Sequence, residues 1–306
     1  LIPISTLVTP NREELFKLSG KSDVEGGVDT LFSLGARAVL VKGGDLDEPC
    51  DILFFGGSKK VLRGKKIKGD FHGKGCALST LIVSRLCLGF DLEKAVEDSI
   101  DILREGLLHP IELQKDWFSP NTGIKWEKIR ILNDLEAALN ILSSSAEPHI
   151  IPEVGSNLCY SLPCPRSIKD VAGFPTRIHS FKGRITAFSP PEFGGSSHVA
   201  RALITAAKFN GDIRSAMNIR FDEAYIENAK EKGYRISFVD RRYEPVDKEG
   251  RSMEWITKRA FEECSELDVV YDVGGLGKEA MIRVFGRDPF DVVEKVIIIT
   301  KEGEKP

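Results

Sequence analysis

The stretch Ser189-Pro190-Pro191-Glu192-Phe193-Gly194-Gly195-Ser196-Ser197-His198 constrains this chain more than any other. Two adjacent prolines offer no backbone donor, so a preceding strand must stop there. Two glycines follow and let the main chain approach a ligand closely. Ser196 or Ser197 is then placed to cap a helix running through Ala200, Leu203 and Ala207 to a stop at Asn210-Gly211. His198 falls in the first turn, where free N–H groups and the helix dipole attract anions, with Arg201 one turn on. A glycine loop, a capped helix and an imidazole at its mouth suit a phosphorylated ligand. An ordinary loop–helix junction with a half-exposed histidine is the alternative reading.

At 306 residues, the chain is long enough for two domains, each with its own core. A net charge of -3, with 42% hydrophobic and 29% charged residues, fits a soluble globular protein and argues against a nucleic-acid-binding surface. No apolar run is long enough to span a bilayer, and no signal peptide is visible. The six cysteines are scattered without zinc-type pairs, which predicts reduced thiols and a cytoplasmic location.

The chain opens at Leu1, inside a stretch that reads as a strand to Val8, with no initiator methionine. The residues are therefore read as the latter part of a longer chain. Asn11 can cap a helix through Leu18, and Asp23 to Leu34 reads as a second helix. Arg37 to Val41 and Asp51 to Phe55 read as strands, and Lys60 to Lys68 as a solvated hairpin. Gly73-Lys74-Gly75-Cys76 opens a helix from Ala77 to Leu88, and a further helix spans Leu92 to Leu107.

Three motifs here occur in the order and spacing of a known family: Thr-Pro-Asn-x-x-Glu at 9–14, Val-Lys-Gly-Gly at 41–44 and His-Gly-x-Gly-Cys at 72–76. The segment resembles the C-terminal half of hydroxymethylpyrimidine phosphate kinases, which have the ribokinase-like α/β/α fold. The resemblance implies ATP as co-substrate and places Asn11 and Glu14 in the Mg²⁺–phosphate region. It places Lys42 on the nucleotide phosphates and makes Gly73, Lys74, Gly75 and Cys76 an anion hole. Cys76 stands where other members of that fold carry a catalytic Asp. N–H groups at a helix start stabilise developing phosphate charge and depress a thiol pKa. A small buried residue at a helix start is the structural alternative for Cys76. Lys74 replaces the threonine usual there. Without the first half of such a kinase, the segment is expected not to be a competent kinase or to close a sheet by itself.

Residues 113–128 read as a linker between a first domain at 1–112 and a second at 129–306. The hydrophobic period then turns helical through Ile129, Leu132, Leu135, Ala138, Leu139 and Leu142. Ser167 to Ala172 reads as a short helix, and Arg177 begins a hairpin about Lys182-Gly183. Ala216 to Phe221, Ile236 to Val239, Val269 to Tyr271, Met281 to Phe285 and Val296 to Thr300 read as strands, with helices at Asp222 to Lys232 and Ser252 to Cys264. Hairpins mixed with helices imply a mixed sheet. Arg177, Arg201, Arg220 and Lys278 fall at element ends, several beside glycines, as a phosphate pocket needs; solvated arginines are the ordinary alternative. Asp240, Asp272 and Glu279 could hold Mg²⁺ between them and a diphosphate.

From Asn133 to Ile299 this half resembles the ThiN-type thiamine-phosphate synthase domain, an α/β sandwich similar to class II aldolases. The residues carrying the resemblance are Pro152-Glu-Val-Gly-Ser-Asn157, Asp170 to Ile178, Gly194 to Leu203, Ala216-Met-Asn-Ile-Arg220, Asp240-Arg-Arg242 and Asp272 to Arg283. It implies the joining of hydroxymethylpyrimidine diphosphate to a thiazole phosphate, with phosphorylated pyrimidine and thiazole molecules as partners, Mg²⁺ as metal and a homodimer. The family's essential Arg and His fall on Arg177 and His198. Ser196, Ser197, Arg201, Asn218, Arg220, Gly277 and Lys278 are the expected phosphate contacts, and Asp272 an expected metal ligand. The rival is a thiamine-phosphate-sensing module, since similar domains occur joined to DNA-binding domains. An aldolase-like metal lyase is weaker, because its His and carboxylate ligands are not clustered.

Overall fold

The computed structural model describes residues 1–43, 49–114, 117–244, 252–275 and 277–301. Gly44, Lys115, Asp116 and Leu276, each in a motif or segment named above, lie outside the described residues. The chain divides into two compact units, Leu1–Thr122 and Gly123–Pro306.

In the first unit a 3-10 turn at Ile2–Ile4 replaces the expected opening strand. Pro3 cannot donate to a ladder but suits the first turn of a helix. Asn11 caps α1 (Arg12–Ser19): its Oδ1 accepts from the Glu14 N–H at 2.7 Å, and its own N–H donates to Glu14 Oε2 at 2.6 Å. Asp23 caps α2 (Val24–Ser33). The strands β1 (Ala38–Val41), β2 (Cys50–Phe55) and β3 (Ser58–Arg63) form an antiparallel sheet in that order among the described residues. Gly56 and Gly57, at φ 53° and 76°, make the β2–β3 turn. The hairpin therefore lies earlier than the Lys60–Lys68 stretch; Lys60 sits within β3, and residues 64–68 have no regular structure.

Both faces of this sheet are covered. Alternate residues of β1 point oppositely, Val39 and Val41 packing on α1 and α2 through Leu15 and Leu31. Leu40 packs with Leu78, Ile82, Val96 and Ile100 of α3 (Lys74–Cys87) and α4 (Leu92–Leu108). The stretch read as a linker carries more structure than expected. β4 (Ile111–Gln114) pairs with β5 (Trp117–Ser119), and α5 (Ile124–Ser145) begins within it.

In the second unit α5 buries Ile131, Leu135, Ala138 and Leu142, at the i, i+4, i+7, i+11 spacing of a helix face, whereas Ile129 is 51% exposed. There follow β6 (Leu158–Ser161), β7 (Val171–Gly173), β8 (Ile178–Phe181), β9 (Arg184–Ala187), β10 (Glu192–Phe193) and α6 (His198–Ala207). Next come β11 (Ser215–Arg220), α7 (Glu223–Glu231), β12 (Ile236–Phe238), α8 (Ser252–Glu263), β13 (Val269–Asp272), β14 (Met281–Gly286) and α9 (Pro289–Thr300).

Two expected elements differ. The helix at Ser167–Ala172 is a 3-10 turn, Ile168–Asp170, closed by a capping box; Val171 and Ala172 then pair with Ser161 and Tyr160 of β6. The expected closing strand Val296–Thr300 is the last part of α9. Asp288 caps that helix by accepting from the Asp291 N–H at 2.9 Å, and Pro289 fits its first position. Val292, Val293, Val296, Ile299 and Thr300 are among its buried side chains, and a short apolar β-branched run reads alike for a strand and a buried helix face.

Among the described residues, seven strands form one mixed sheet, ordered β10-β7-β6-β11-β14-β13-β12, with β12–β13 its parallel pair. This is the α/β architecture with a mixed sheet expected from the alternation of hairpins and helices. α5, α7 and α9 bury one face through Leu158, Tyr160, Met217 and Ile219. α6 and α8 bury the other through Cys159, Ala216, Val270 and Phe285. Strand alternation puts Asn218 and Arg283, direct partners across β11 and β14, on this second side. No helix among the described residues is long and apolar enough to cross a membrane.

Candidate active site

Arg177 immediately precedes β8 with φ 61°, a left-handed conformation rarely taken by a residue with a Cβ. Its N–H donates to the Phe174 carbonyl at 3.0 Å, and its Nη1 donates to the Val154 carbonyl. Beside it the chain at Gly155, φ 80°, comes so close that an added Cβ would lie 3.0 Å from His179 Cε1. Ser156 is joined to Ile178 by paired main-chain bonds of 2.9 and 2.8 Å.

The glycine loop approaches from the other side. A Cβ on Gly195 would stand 2.4 Å from the Gly173 carbonyl oxygen, so only glycine passes there. Ser197 takes the N-cap position of α6, but its side chain makes no capping bond among the described residues. Ser196 is buried on the side of Cys159. The expected serine cap is thus absent among the described residues. Burial pushes the Cys159 thiol up to about 12, and the Ser196 hydrogen bond opposes this.

Arg177, Ser196, Ser197 and His198 line one cavity of about 340 Å³. Partial loss of solvent, and then the positive charges of Arg177 and Arg201, hold the His198 imidazole below its ordinary pKa. The cavity thus joins a guanidinium, a predominantly neutral imidazole at neutral pH and the start of a helix, a combination suited to phosphate oxygens.

Other expected contacts are committed elsewhere. Asn218 lines the cavity, but its Oδ1 accepts from the Asn157 N–H at 2.8 Å and its Nδ2 donates to the Gly155 carbonyl at 3.2 Å and to Met281 Sδ at 3.4 Å. It shapes the 155–157 loop rather than offering a phosphate donor. Arg220 stands exposed at the end of β11, outside the cavity lining. Lys278 reaches Glu244 at 2.8 Å and Ser252 at 3.3 Å, and neither it nor Gly277 lines the cavity. Asp272, the expected metal ligand, is fully buried; its oxygens take Arg241 Nε at 2.6 Å, Arg283 Nη1 at 2.8 Å and the Gly274 N–H at 2.9 Å. Arg241 hydrogen-bonds both carboxylate oxygens and Arg283 pairs with one of them in charge, so a metal would meet two cations there. Asp240 pairs with Arg242, and Glu279 accepts from the Glu153 N–H. Among the described residues no group of three or more His, Cys, Asp or Glu is arranged to hold a metal.

Lining residues given no role of their own in the sequence reading include Ser156, Asn157, Met253 and Met281. Asn157 binds the Phe174 main chain as a strand would, donating to its carbonyl at 2.7 Å and accepting from its N–H at 2.9 Å. The motif Pro152 to Asn157 drew attention to this loop, but no local pattern pointed to two methionines far apart in sequence.

In the first unit, Asn11, Glu14, Lys42, Lys74, Gly75 and Arg104 line a cavity of about 430 Å³. Lys42 Nζ lies 3.6 Å from Glu14 Oε2, and a Cβ on Gly75 would be 3.5 Å from Lys42 Nζ. Gly73, φ 77°, begins α3. Cys76 lies in the first turn but is exposed and outside the cavity lining, which its neighbours Lys74 and Gly75 supply. This differs from the expected cavity-facing thiol, since in the first turn of a helix successive side chains diverge by about 100°.

Comparison with known proteins agrees with both halves. Residues 134–298 match the family described as thiamine-phosphate synthase ThiN, and residues 1–121 the family described as phosphomethylpyrimidine kinase. The chain is 36% identical over 300 residues to the bifunctional thiamine biosynthesis protein ThiDN of Methanocaldococcus jannaschii, covering 97% of this chain and 68% of that protein. It is 39% identical over 176 residues to thiamine-phosphate synthase ThiN of Methanothermobacter thermautotrophicus, covering 56% of this chain and 93% of that one. A crystal structure of the C-terminal domain of phosphomethylpyrimidine kinase superposes with a TM-score of 0.53 at 43% identity, covering 57% of this chain and 99% of that one. The chain therefore belongs to the thiamine-phosphate synthase ThiN family, in the form in which that domain is fused behind a phosphomethylpyrimidine kinase segment.

Proposed function

We propose that the second unit joins hydroxymethylpyrimidine diphosphate to a thiazole phosphate, giving thiamine monophosphate and diphosphate. The observation that carries this reading is the shared cavity of Arg177 and His198 at the first turn of α6. In the reaction the bond from the pyrimidine methylene to the diphosphate oxygen breaks, and the thiazole nitrogen bonds to the methylene carbon. The aminopyrimidine ring spreads the developing positive charge. The protein has to hold the departing diphosphate and align the nitrogen. Arg177 is the group for the leaving-group charge. His198, with its lowered pKa, offers an N–H donor near neutral pH. An arriving diphosphate offsets the charges of Arg177 and Arg201, so the imidazole can take up a proton and pass it to the leaving group. With Asp272 committed to arginines, a Mg²⁺ ion in this unit would be held chiefly by the diphosphate and water.

The cavity of the first unit is proposed to take the phosphates of ATP, as its part of a complete kinase that phosphorylates hydroxymethylpyrimidine phosphate. Lys42, Lys74, Gly75 and the first-turn N–H groups of α3, including that of Cys76, face that charge in this reading. Glu14, beside Lys42, fits a Mg²⁺ bound mostly through phosphates and water, which would neutralise phosphate charge when present. A cytoplasmic homodimer acting on small phosphorylated molecules belongs to the same proposal, and all six cysteines are free thiols.

The test is a synthase assay of the purified chain with both phosphorylated substrates and Mg²⁺. Thiamine monophosphate and released diphosphate are expected. Binding of thiamine monophosphate without turnover of its precursors would replace catalysis with ligand sensing.

A further inference from the structure

Ser156 has no exposed surface, lines the cavity, and its hydroxyl finds no hydrogen-bond partner among the described residues. A buried hydroxyl left so costs free energy, and such a group in a native site calls for an explanation. The backbone of Ser156 is fixed at the cavity. Its main chain is bonded to Ile178 on one side, and the next N–H, that of Asn157, is held by Asn218 at 2.8 Å on the other. Rotation about its Cα–Cβ bond can bring this hydroxyl to a ligand in the cavity that Ser156 lines.

The surroundings indicate which part of a ligand that is. The Asn218 amide bridges the Gly155 carbonyl and Met281 Sδ, so the Met281 thioether lies close to the Gly155–Ser156 peptide. Across the β11–β14 ladder from Asn218, Arg283 directs its Nε to Met253 Sδ at 3.4 Å. Each methionine is thus tethered at sulfur by a donor, and both line the cavity. Thioethers pack well on flat aromatic rings and offer little to phosphate oxygens. Arg177, His198 and the start of α6 hold the cationic part of the same cavity.

We propose that Ser156, Met253 and Met281 form a seat for the heteroaromatic ring of the ligand, with the Ser156 hydroxyl hydrogen-bonding a ring nitrogen or ring amine. The seat deepens, and rests on, the synthase reading given above. A serine hydroxyl can donate to a ring nitrogen or accept from an amine.

The test uses the full chain and two probes, thiamine monophosphate, which carries rings, and inorganic diphosphate, which carries none. Ser156→Ala should bind thiamine monophosphate about 10-fold more weakly. Its affinity for diphosphate should stay within about 2-fold, and its melting temperature should stay level or rise, since an unsatisfied buried group has been removed. Met281→Leu, which keeps the volume, should likewise weaken the ring-bearing probe alone. Unchanged thiamine monophosphate affinity in Ser156→Ala, or equal losses for both probes, overturns the seat. A wild-type chain that binds diphosphate but not thiamine monophosphate overturns it too. If the selective loss is seen in a chain that forms no thiamine monophosphate from its precursors, the catalytic reading falls and the ring seat stands.

Discussion

The main chains of Ser156 and Ile178 exchange two hydrogen bonds, 2.9 and 2.8 Å long. This bridge ties the 152–157 loop to the first residue of β8 and fixes the neighbouring Arg177 at the cavity that His198 enters from α6. The β8–β9 hairpin and the proline–glycine loop span the sequence between the two residues, returning the chain to the same place.

Removing Arg177 should therefore cost transition-state stabilisation without loss of fold. Arg177→Ala and His198→Ala are each expected to cut synthase turnover by at least ~10²-fold, the effect of losing one preorganised donor to developing negative charge. Circular dichroism and melting should show folded proteins. Turnover near the wild-type rate in both folded variants removes these residues from the mechanism.

The His198 imidazole makes the second unit sensitive to acid. Its folded pKa lies below the unfolded value, so the unfolded chain binds more protons between the two. The stability contribution is fully present above about pH 6.5 and is lost as pH falls through the lower, folded pKa. Diphosphate should reverse the direction by raising that pKa. Binding of inorganic diphosphate should then take up protons below about pH 7 to a greater extent in wild type than in His198→Gln. Calorimetry in buffers of different ionisation enthalpy measures the uptake, and equal uptake by both proteins contradicts the assignment.

Asp272 carries structural weight through its two arginines. Asp272→Ala leaves the buried guanidiniums of Arg241 and Arg283 without their shared carboxylate. Loss of one partner from such a buried network costs about 3–5 kcal/mol, to be read from urea unfolding of the second unit. A loss below about 1 kcal/mol would show that solvent or Glu244 compensates.

Lys42 provides the corresponding test in the first unit. Lys42→Ala should weaken binding of a non-hydrolysable ATP analogue by about 10-fold or more, as expected for loss of a charged phosphate contact. Unchanged affinity, measured calorimetrically, would take the nucleotide phosphates out of this cavity.

Much of the local structure was legible because its causes lie within a few residues. Asn11 caps α1 as read, and α7 ends before Gly233, φ 75°, as its composition predicts. The mixed sheet followed from hairpin signals set among helices. The expected strand at Val296–Thr300 failed because a five-residue apolar run has no period of its own; the cap at Asp288 and the buried positions upstream make it helical. Arg177 and His198 came from resemblance to a family, and their shared cavity from the fold.

The sequence by itself determined the helices that begin after Asn11 and Asp23, the loop that brings His198 to a helix start, and the family to which the chain belongs. All three reside in residue types and spacings along the chain. Only the tertiary structure decided which polar groups remain for a ligand. Asn218, Lys278 and Asp272 have suitable chemistry, but Asn157, Glu244 and a pair of arginines take up their hydrogen bonds or charge. Ser156 lies in a motif that gives it no role of its own, yet its hydroxyl remains unpartnered among the described residues at the cavity wall. Donors and acceptors are finite, and their partners come from distant segments, so the sheet and its covering helices settle how each group is used.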